Sequence, residues 1–540
     1  MHKKYIAGIS IFLILVVLLF TKAVQNRKFA IFNPVSPALA EEIWNGKTRV
    51  ERFDFGSLMC NGIQVAIDRN EKDFYIPVNM ENPEWETLRF TSGKPEYQIV
   101  FQDDFTRYDK QELIASGTHI EFLVYTDTEF STYEIIFTGL PVMDISTLEG
   151  IEHQKEISGN AVFYDTNFSS SGAMASAYEG HVRGNTSTLY PKKGYKINLI
   201  NRIDDNTVEN NKLPLFGMRN DDDWILYALY SDESKIRAKL SIDLWDEMGA
   251  KNIYPNANYN SSIKYIELIV DEAYHGMYAI MEPVDAKQLN LKEEDYLYKR
   301  EDIAELEGEA FYAAENPEEH VQGFEIKEGI LLADAWKPMG YFSDFINSED
   351  ENFKQNINQV LDTENAIRLW LYLQVIAGYD QQGKNVFYVA RKEGDSYFFT
   401  FAPWDMDLTF GNHSANDEET NYTDYDENLV REKFFWETGE RIIKKDTDDA
   451  VKKMQKLYNE YRRTILSEKG LEDRISTLDH VIRDSGAYAR DQQRWTEGSY
   501  AEDAGVVMSF AKRRMEYLDK ALFNLETYMK EEIISNQRKN

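Results

Sequence analysis

Asp380-Gln381-Gln382-Gly383-Lys384-Asn385 places an acid and an amide at a D-x-x-x-x-N spacing, between an apolar helical run and a strand-forming run. Phosphoryl transfer uses such a pair. The Asp accepts or orients the proton of an acceptor hydroxyl, and the Asn oxygen ligates a magnesium ion that bridges phosphates. An isolated match also describes a plain turn before a hairpin. A second acidic group follows in Ala402-Pro403-Trp404-Asp405-Met406-Asp407-Leu408, where two carboxylates interrupt an apolar segment. Charges there are costly unless paired or metal-bound, and hard oxygens suit Mg²⁺ or Mn²⁺. Asp405 is the first choice of metal ligand. If the segment is extended, Asp407 falls on the same side as a second ligand or as a brace. A third group is basic: Arg183-Gly184-Asn185-Thr186-Ser187, then Pro191-Lys192-Lys193-Gly194-Tyr195-Lys196. A Gly-polar loop leading to a Lys-bearing strand can cradle phosphates, although the Walker A spacing is absent.

These residues need elements to hold them. Tyr195 to Leu199 alternates as a strand, with Lys193, Tyr195 and Leu199 on one face and Lys196 and Asn198 on the other. Ile236, Leu240, Leu244 and Met248 mark a helix ended by Gly249. Tyr265–Val270 and Gly276–Met281 read as a hairpin, Glu364–Ala377 as an apolar helix, and Val386–Ala390 with Tyr397–Phe401 as a second hairpin. Residues 448 to 534 read as helical. Short strands between Arg49 and Thr138 suggest a small β-sandwich.

Four of these stretches together resemble the CotH (spore coat protein H) kinase family. They are Arg183–Lys196; Trp224–Asp232 with Arg237; Tyr265–Glu282, which contains His275-Gly276-Met277-Tyr278; and Pro403-Trp404-Asp405-Met406-Asp407-Leu408-Thr409-Phe410-Gly411. They run in order from about Leu140 to Gly411, leaving the β-sandwich and the C-terminal helices poorly covered. The resemblance implies an atypical protein kinase using ATP with Mg²⁺ or Mn²⁺. Asp405 would be the metal-binding Asp, with Asn385 and Asp407 as further ligands. Lys193 or Lys196 would contact the phosphates, Arg183 would bind phosphate or brace its loop, and Glu282 would orient a Lys or lie nearer the adenine. Asp380 would be the catalytic Asp. Gly378-Tyr379 precedes it where ordinary kinases carry His-Arg, so a metal-binding or structural role for Asp380 also stands. Asp232 and Arg237 read as a helix-capping and packing pair, Trp224 and Trp404 as core.

The expected architecture is α+β: a kinase-like two-lobe domain at 140–435, preceded by a β-sandwich at 46–139 and followed by a helical part at 436–540 packed on it. Lys3 and Lys4 precede an apolar run from Tyr5 to Phe20, read as a signal anchor over 1–25, with a stalk at 26–45. This implies a single-pass membrane protein with its bulk extracellular and a secreted or surface protein as substrate. Of 540 residues, 43% are hydrophobic, enough for two or three packed domains. The formal charge of −33 argues against a nucleic-acid partner. One cysteine, Cys60, excludes an intramolecular disulfide. Asp221-Asp222-Asp223 and the Asp417–Glu427 run read as solvated acidic loops. The competing functions are a catalytically silent kinase-like scaffold and a polysaccharide-binding surface built from some of the 33 tyrosines.

Overall fold

The structure, a computed structural model, describes residues 35–81, 88–102, 104–148, 156–184, 186–202, 207–249, 254, 256–302, 304, 306–378, 380–412, 436–496 and 503–525. The expected anchor at 1–25, residues 26–34 of the stalk and the Asp417–Glu427 run lie outside them. No described helix is long and apolar enough to cross a membrane. The end of the expected stalk is instead a helix, α1 (Pro37–Gly46), started by Ser36, whose Oγ accepts the Leu39 N–H, and by a first-turn proline. Its Ile43 is fully buried in a small core with Leu123, Tyr125 and Phe130, so this part of the chain packs rather than spaces.

The N-terminal β-structure is a sandwich. Strands β1 (Ala66–Asp68), β2 (Asp73–Pro77), β3 (Gln98–Phe101), β4 (His119–Tyr125) and β5 (Glu129–Thr138) form a sheet in the order β1-β2-β5-β4-β3, with Thr48–Arg49 beside β5. A three-stranded sheet of Ile63–Gln64, Leu58–Cys60 and Phe90–Ser92 belongs to the same fold, and one core holds Leu58 and Phe90 with Phe74, Phe122 and Ile135. The chain crosses from the smaller sheet to the larger at Val65, between Ile63–Gln64 and β1. Val142, Tyr164, Ile269 and Tyr274 share this core, so the sandwich continues into the next unit.

That unit is an eight-stranded sheet of β6 (Val142–Thr147), β7 (Glu156–Tyr164), β8 (Met174–Arg183), β9 (Gly194–Arg202), β10 (Val208–Asn210), β11 (Asp223–Tyr227), β12 (Ile263–Val270) and β13 (Ala273–Met281). Its order is β8-β7-β6-β12-β13-β11-β9-β10, and β8 also pairs with β9. The ring closes, leaving only β10 outside, and Tyr178, Ile197, Leu199, Trp224 and Ile280 fill the interior. Closure is tight. A Cβ on Gly180 would lie 2.4 Å from the Lys196 carbonyl oxygen.

The second half packs a four-stranded sheet among helices. Strands β14 (Tyr296–Arg300), β15 (Phe324–Glu328), β16 (Val386–Glu393) and β17 (Ser396–Pro403) run in the order β15-β14-β16-β17. One large core joins this sheet to α2 (Arg237–Met248), α3 (Thr363–Ile376), α4 (Ala450–Arg462), α5 (Glu468–Asp484), α6 (Ala487–Arg494) and α7 (Ala504–Ala521). The architecture is mixed α+β, as the alternating strand and helix patterns predict.

Candidate functional site

Helix α3 is capped by Asp362, whose side chain accepts the Asn365 N–H, and it stops at Ala377 in a left-handed conformation. The chain then makes one short turn, Asp380–Gln382, and enters β16 through Asn385, which has φ 56°. Asn tolerates that region better than most side chains. Its Nδ2 donates to Oδ2 of Asp380 at 3.1 Å, leaving its Oδ1 for another partner. Its backbone N–H donates to the Arg300 carbonyl at 2.7 Å, and its own carbonyl accepts the Trp404 N–H at 2.9 Å. Gln381 completes the brace: its buried Nε2 donates to the carbonyls of Trp404 at 2.8 Å and Asp405 at 2.6 Å. The D-x-x-x-x-N loop is thus tied directly to the Trp404-Asp405 segment.

The second acidic group is reached by a turn, not by an extended strand. Strand β17 ends at Pro403, and Asp405 has φ 59°. Side-chain alternation therefore does not bring Asp405 and Asp407 together; the left-handed residue does. Asp407 Oδ2 accepts the Ser231 hydroxyl at 2.6 Å, and Asn412 Nδ2 bridges the carbonyls of Ser231 and Asp407 at 3.0 and 2.9 Å. Burial, followed by the charge of Asp405, pushes the Asp407 carboxyl up to about 8; Asp380 and Asp232 add to the repulsion, and the Ser231 bond opposes it. Burial also raises the Asp380 carboxyl, opposed by Lys384, whose Nζ is 3.1 Å away, and assisted by Asp405. Carboxylates held this close repel unless protonated or bridged by a cation. Asp405, Asp407 and Asn385 offer hard oxygens of the kind that Mg²⁺ or Mn²⁺ takes, but Asp380, Asp405 and Asp407 are not among the trios of described residues whose ligand atoms all lie within 4.8 Å of one another.

Arg183 reaches this site. Its guanidinium lies 5.9 Å from the Trp404 ring, and it acts on the hydroxyl of Tyr227 together with Asp405 and Asp407. That hydroxyl is buried without a hydrogen-bond partner and is pushed well above the ordinary tyrosine range, by burial first. Beside it a small cavity of about 20 Å³ is lined by Tyr227, Trp245, Tyr259, Tyr372, Trp404 and Asp405 among others.

The two candidate lysines are placed differently. Lys193 Nζ donates to the backbone carbonyls of Thr188, at 2.6 Å, and Tyr190. It straps the loop after Arg183, and Tyr190 of that loop lies within the field of Asp407. Lys196 is on the outer face of the ring with its side chain 46% exposed, 3.9 Å from Asp223. Glu282 is buried, and its two oxygens accept the backbone N–H groups of Arg219 at 2.9 Å and Ser262 at 3.2 Å. It orients neither lysine. Asp232 accepts the Arg237 backbone N–H at 2.8 Å and its Nη1 at 2.7 Å, at the start of α2, and Trp224 and Trp404 are buried. Both readings from sequence hold.

The Asp221-Asp222-Asp223 stretch is not a solvated loop. Asp221 and Asp222 are buried at the start of β11, where Lys287 lies 3.2 Å from both Asp222 and Asp223 and also pairs with Asp221. Arg219, two residues before, pairs with Asp221 as well, so a neighbouring arginine and a distant lysine neutralise the run. The residues missed in sequence are Tyr227, Ser231, Gln381 and the buried Lys192. Lys192 Nζ donates to Met277 O and Asp491 Oδ1, both at 2.6 Å, and is held down to about 8 by burial. Each of these residues lies within a stretch that sequence singled out, Lys192 in the basic cluster, Gln381 in the D-x-x-x-x-N loop and Tyr227 and Ser231 in Trp224–Asp232, but none is given a role there.

A family model described as CotH kinase protein matches residues 181–518, from β8 to the last described helix. The chain belongs to the CotH kinase protein family. The match contains every candidate site residue and extends through α4 into α7, so the C-terminal helices lie inside the family region rather than beyond it. Their packing agrees: α6 joins β12 through Arg490, whose Nε and Nη2 each donate to Glu267 at 2.8 Å. The sandwich and the first strands of the ring precede the CotH match. No curated protein matches this chain.

Proposed function

We propose that the protein is an atypical kinase that transfers the γ-phosphate of ATP to Ser or Thr of a secreted or surface protein. The observation that carries this reading is the convergence of Asp380, Asn385, Asp405 and Asp407 with Arg183 at one place, in a chain of the CotH kinase family. Asp405, Asp407 and Asn385 would hold a divalent ion. When bound, the ion neutralises charge on the transferring phosphoryl group. Arg183 supplies a planar cation to phosphate oxygens. Asp380 accepts or orients the acceptor hydroxyl proton; its raised carboxyl and its bond to Asn385 suit a positioned base. Lys193 acts by holding the Thr188–Tyr190 loop. The anchor at 1–25 keeps the site outside the membrane.

The test is thermal unfolding with ATP and Mn²⁺ or Mg²⁺, together with incorporation of labelled phosphate. Stabilisation by the pair is expected in the native chain and lost in Asp405→Ala; Asp380→Asn keeps the stabilisation and loses the incorporation. Absence of both effects with either metal refutes the proposal. One observation favours a second reading, a catalytically silent scaffold: both candidate lysines have other occupations. That reading expects nucleotide binding without transfer.

A further inference from the structure

A separate cluster lies in the sandwich, before the family match. Asp73 on β2, Glu134 on β5 and His119 on β4 offer ligand atoms that all lie within 4.8 Å of one another. Register explains the meeting. Asp73 pairs with Glu134 across the parallel β2–β5 ladder, and His119 pairs with Ile136, two residues on from Glu134 along the same face of β5. Three strands thus contribute one ligand each. His119 Nδ1 is 2.5 Å from Glu134 Oε2 and 3.5 Å from Asp73 Oδ1. The Asp73 side chain is only 6% exposed, and its buried Oδ1 faces the His119 ring at 3.5 Å, at the limit of a hydrogen bond, with no other partner. A buried carboxylate oxygen with so long a single contact is expensive. Among the described residues neither Asp73 nor Glu134 pairs with Lys or Arg, and Glu121, opposite Glu134 on the same face, adds further negative charge.

We infer that Asp73, His119 and Glu134 form a zinc site. One imidazole nitrogen and two carboxylate oxygens are an open three-ligand set for Zn²⁺, with water at the fourth position. A tetrahedral ion with bonds of about 2.0–2.1 Å separates its ligands by roughly 3.3–3.4 Å. The Asp73–His119 distance already suits that, and the half-exposed Glu134 side chain needs to withdraw by somewhat under ~1 Å. The imidazole favours Zn²⁺ over Mg²⁺ or Ca²⁺. A second trio, Glu301, His320 and Glu325, lacks this character: Lys299 and Lys327 already pair with its carboxylates at 2.8 and 2.5 Å.

The ion would tie β2, β4 and β5 together on the face that meets the CotH region. Tyr75, on the same face as Asp73, stacks on Tyr274 of β13 with centroids 5.0 Å apart, and Asp68, paired with Asp73, accepts the Tyr274 N–H at 2.9 Å. Zinc would stiffen the platform under the β12–β13 hairpin.

The experiment uses the full chain, stripped of metal and freed of any affinity tag, dialysed against ZnCl₂ in excess Mg²⁺ and analysed for bound zinc and thermal midpoint. One zinc equivalent and a raised midpoint are expected for the native chain. Both His119→Gln and Glu134→Gln, at half-exposed positions that preserve folding, should bind zinc at least ~10-fold more weakly; Asp405→Ala should bind as the native chain does. Zinc bound equally by native and His119→Gln protein overturns the inference. So does no zinc binding by a folded native chain, which would make the trio an imidazolium held between two carboxylates.

Discussion

Arg490→Met is the perturbation that best tests whether the C-terminal helices and the closed ring are one structural unit. Arg490 and Glu267 are joined by two bonds of 2.8 Å, with side chains 8% and 0% exposed. Glu267 Oε1 also accepts the Tyr274 hydroxyl at 2.6 Å. Removing the guanidinium leaves a buried carboxylate with one neutral donor, which costs about 3–5 kcal/mol. For a chain of 540 residues that corresponds to a fall of roughly 3–4 °C in the unfolding midpoint. Replacing both partners removes the stranded charge, so Arg490→Met with Glu267→Gln should recover about 1–3 kcal/mol of the loss. The assay is urea unfolding followed by tryptophan fluorescence, read alongside far-ultraviolet circular dichroism so that helix and strand loss are compared. Both signals should move together, because the pair links α6 to β12. A loss below about 1 kcal/mol, or helix loss that leaves the fluorescence transition in place, would refute the argument.

Other outcomes follow from the same geometry. His275 is held down to about 4, by burial first and then by Arg494 and Lys192, so it stays neutral in the fold while the unfolded imidazole protonates below about 6.5. Its contribution is complete above that pH and is lost as pH falls towards 4; His275→Gln should flatten this part of the acid limb, measured as urea midpoints across the window. Lys196→Ala should leave ATP affinity within about twofold, since the ammonium is exposed and beside Asp223. Arg183→Ala should weaken it about 10-fold or more, as expected for a lost charge-assisted contact. Thermal titration of both variants with Mn²⁺ and ATP distinguishes them.

The sequence by itself determined the parts that depend on short-range pattern. Apolar periodicity located α2 and α3, and alternation located the β12–β13 and β16–β17 hairpins. The order of loop, hairpin and Trp404-Asp405-Met406-Asp407 was enough to name Asp380, Asn385, Asp405 and Asp407 as one constellation. Periodicity is local, so it survives reading one residue at a time. What only the tertiary structure decided was pairing between distant segments. Ring closure through β8 and β9 turned Lys196 outward. A left-handed Asp405, rather than strand alternation, brought Asp407 round to Ser231. Lys287 gathered three aspartates, two of them buried, that sequence read as a solvated loop, and α1 packed where a stalk was expected. Asp73, His119 and Glu134 carry no motif at all, because only the register of β2, β5 and β4 sets them side by side. Charge and coordination depend on distances across space, and those are fixed only when the strands pair and the helices pack.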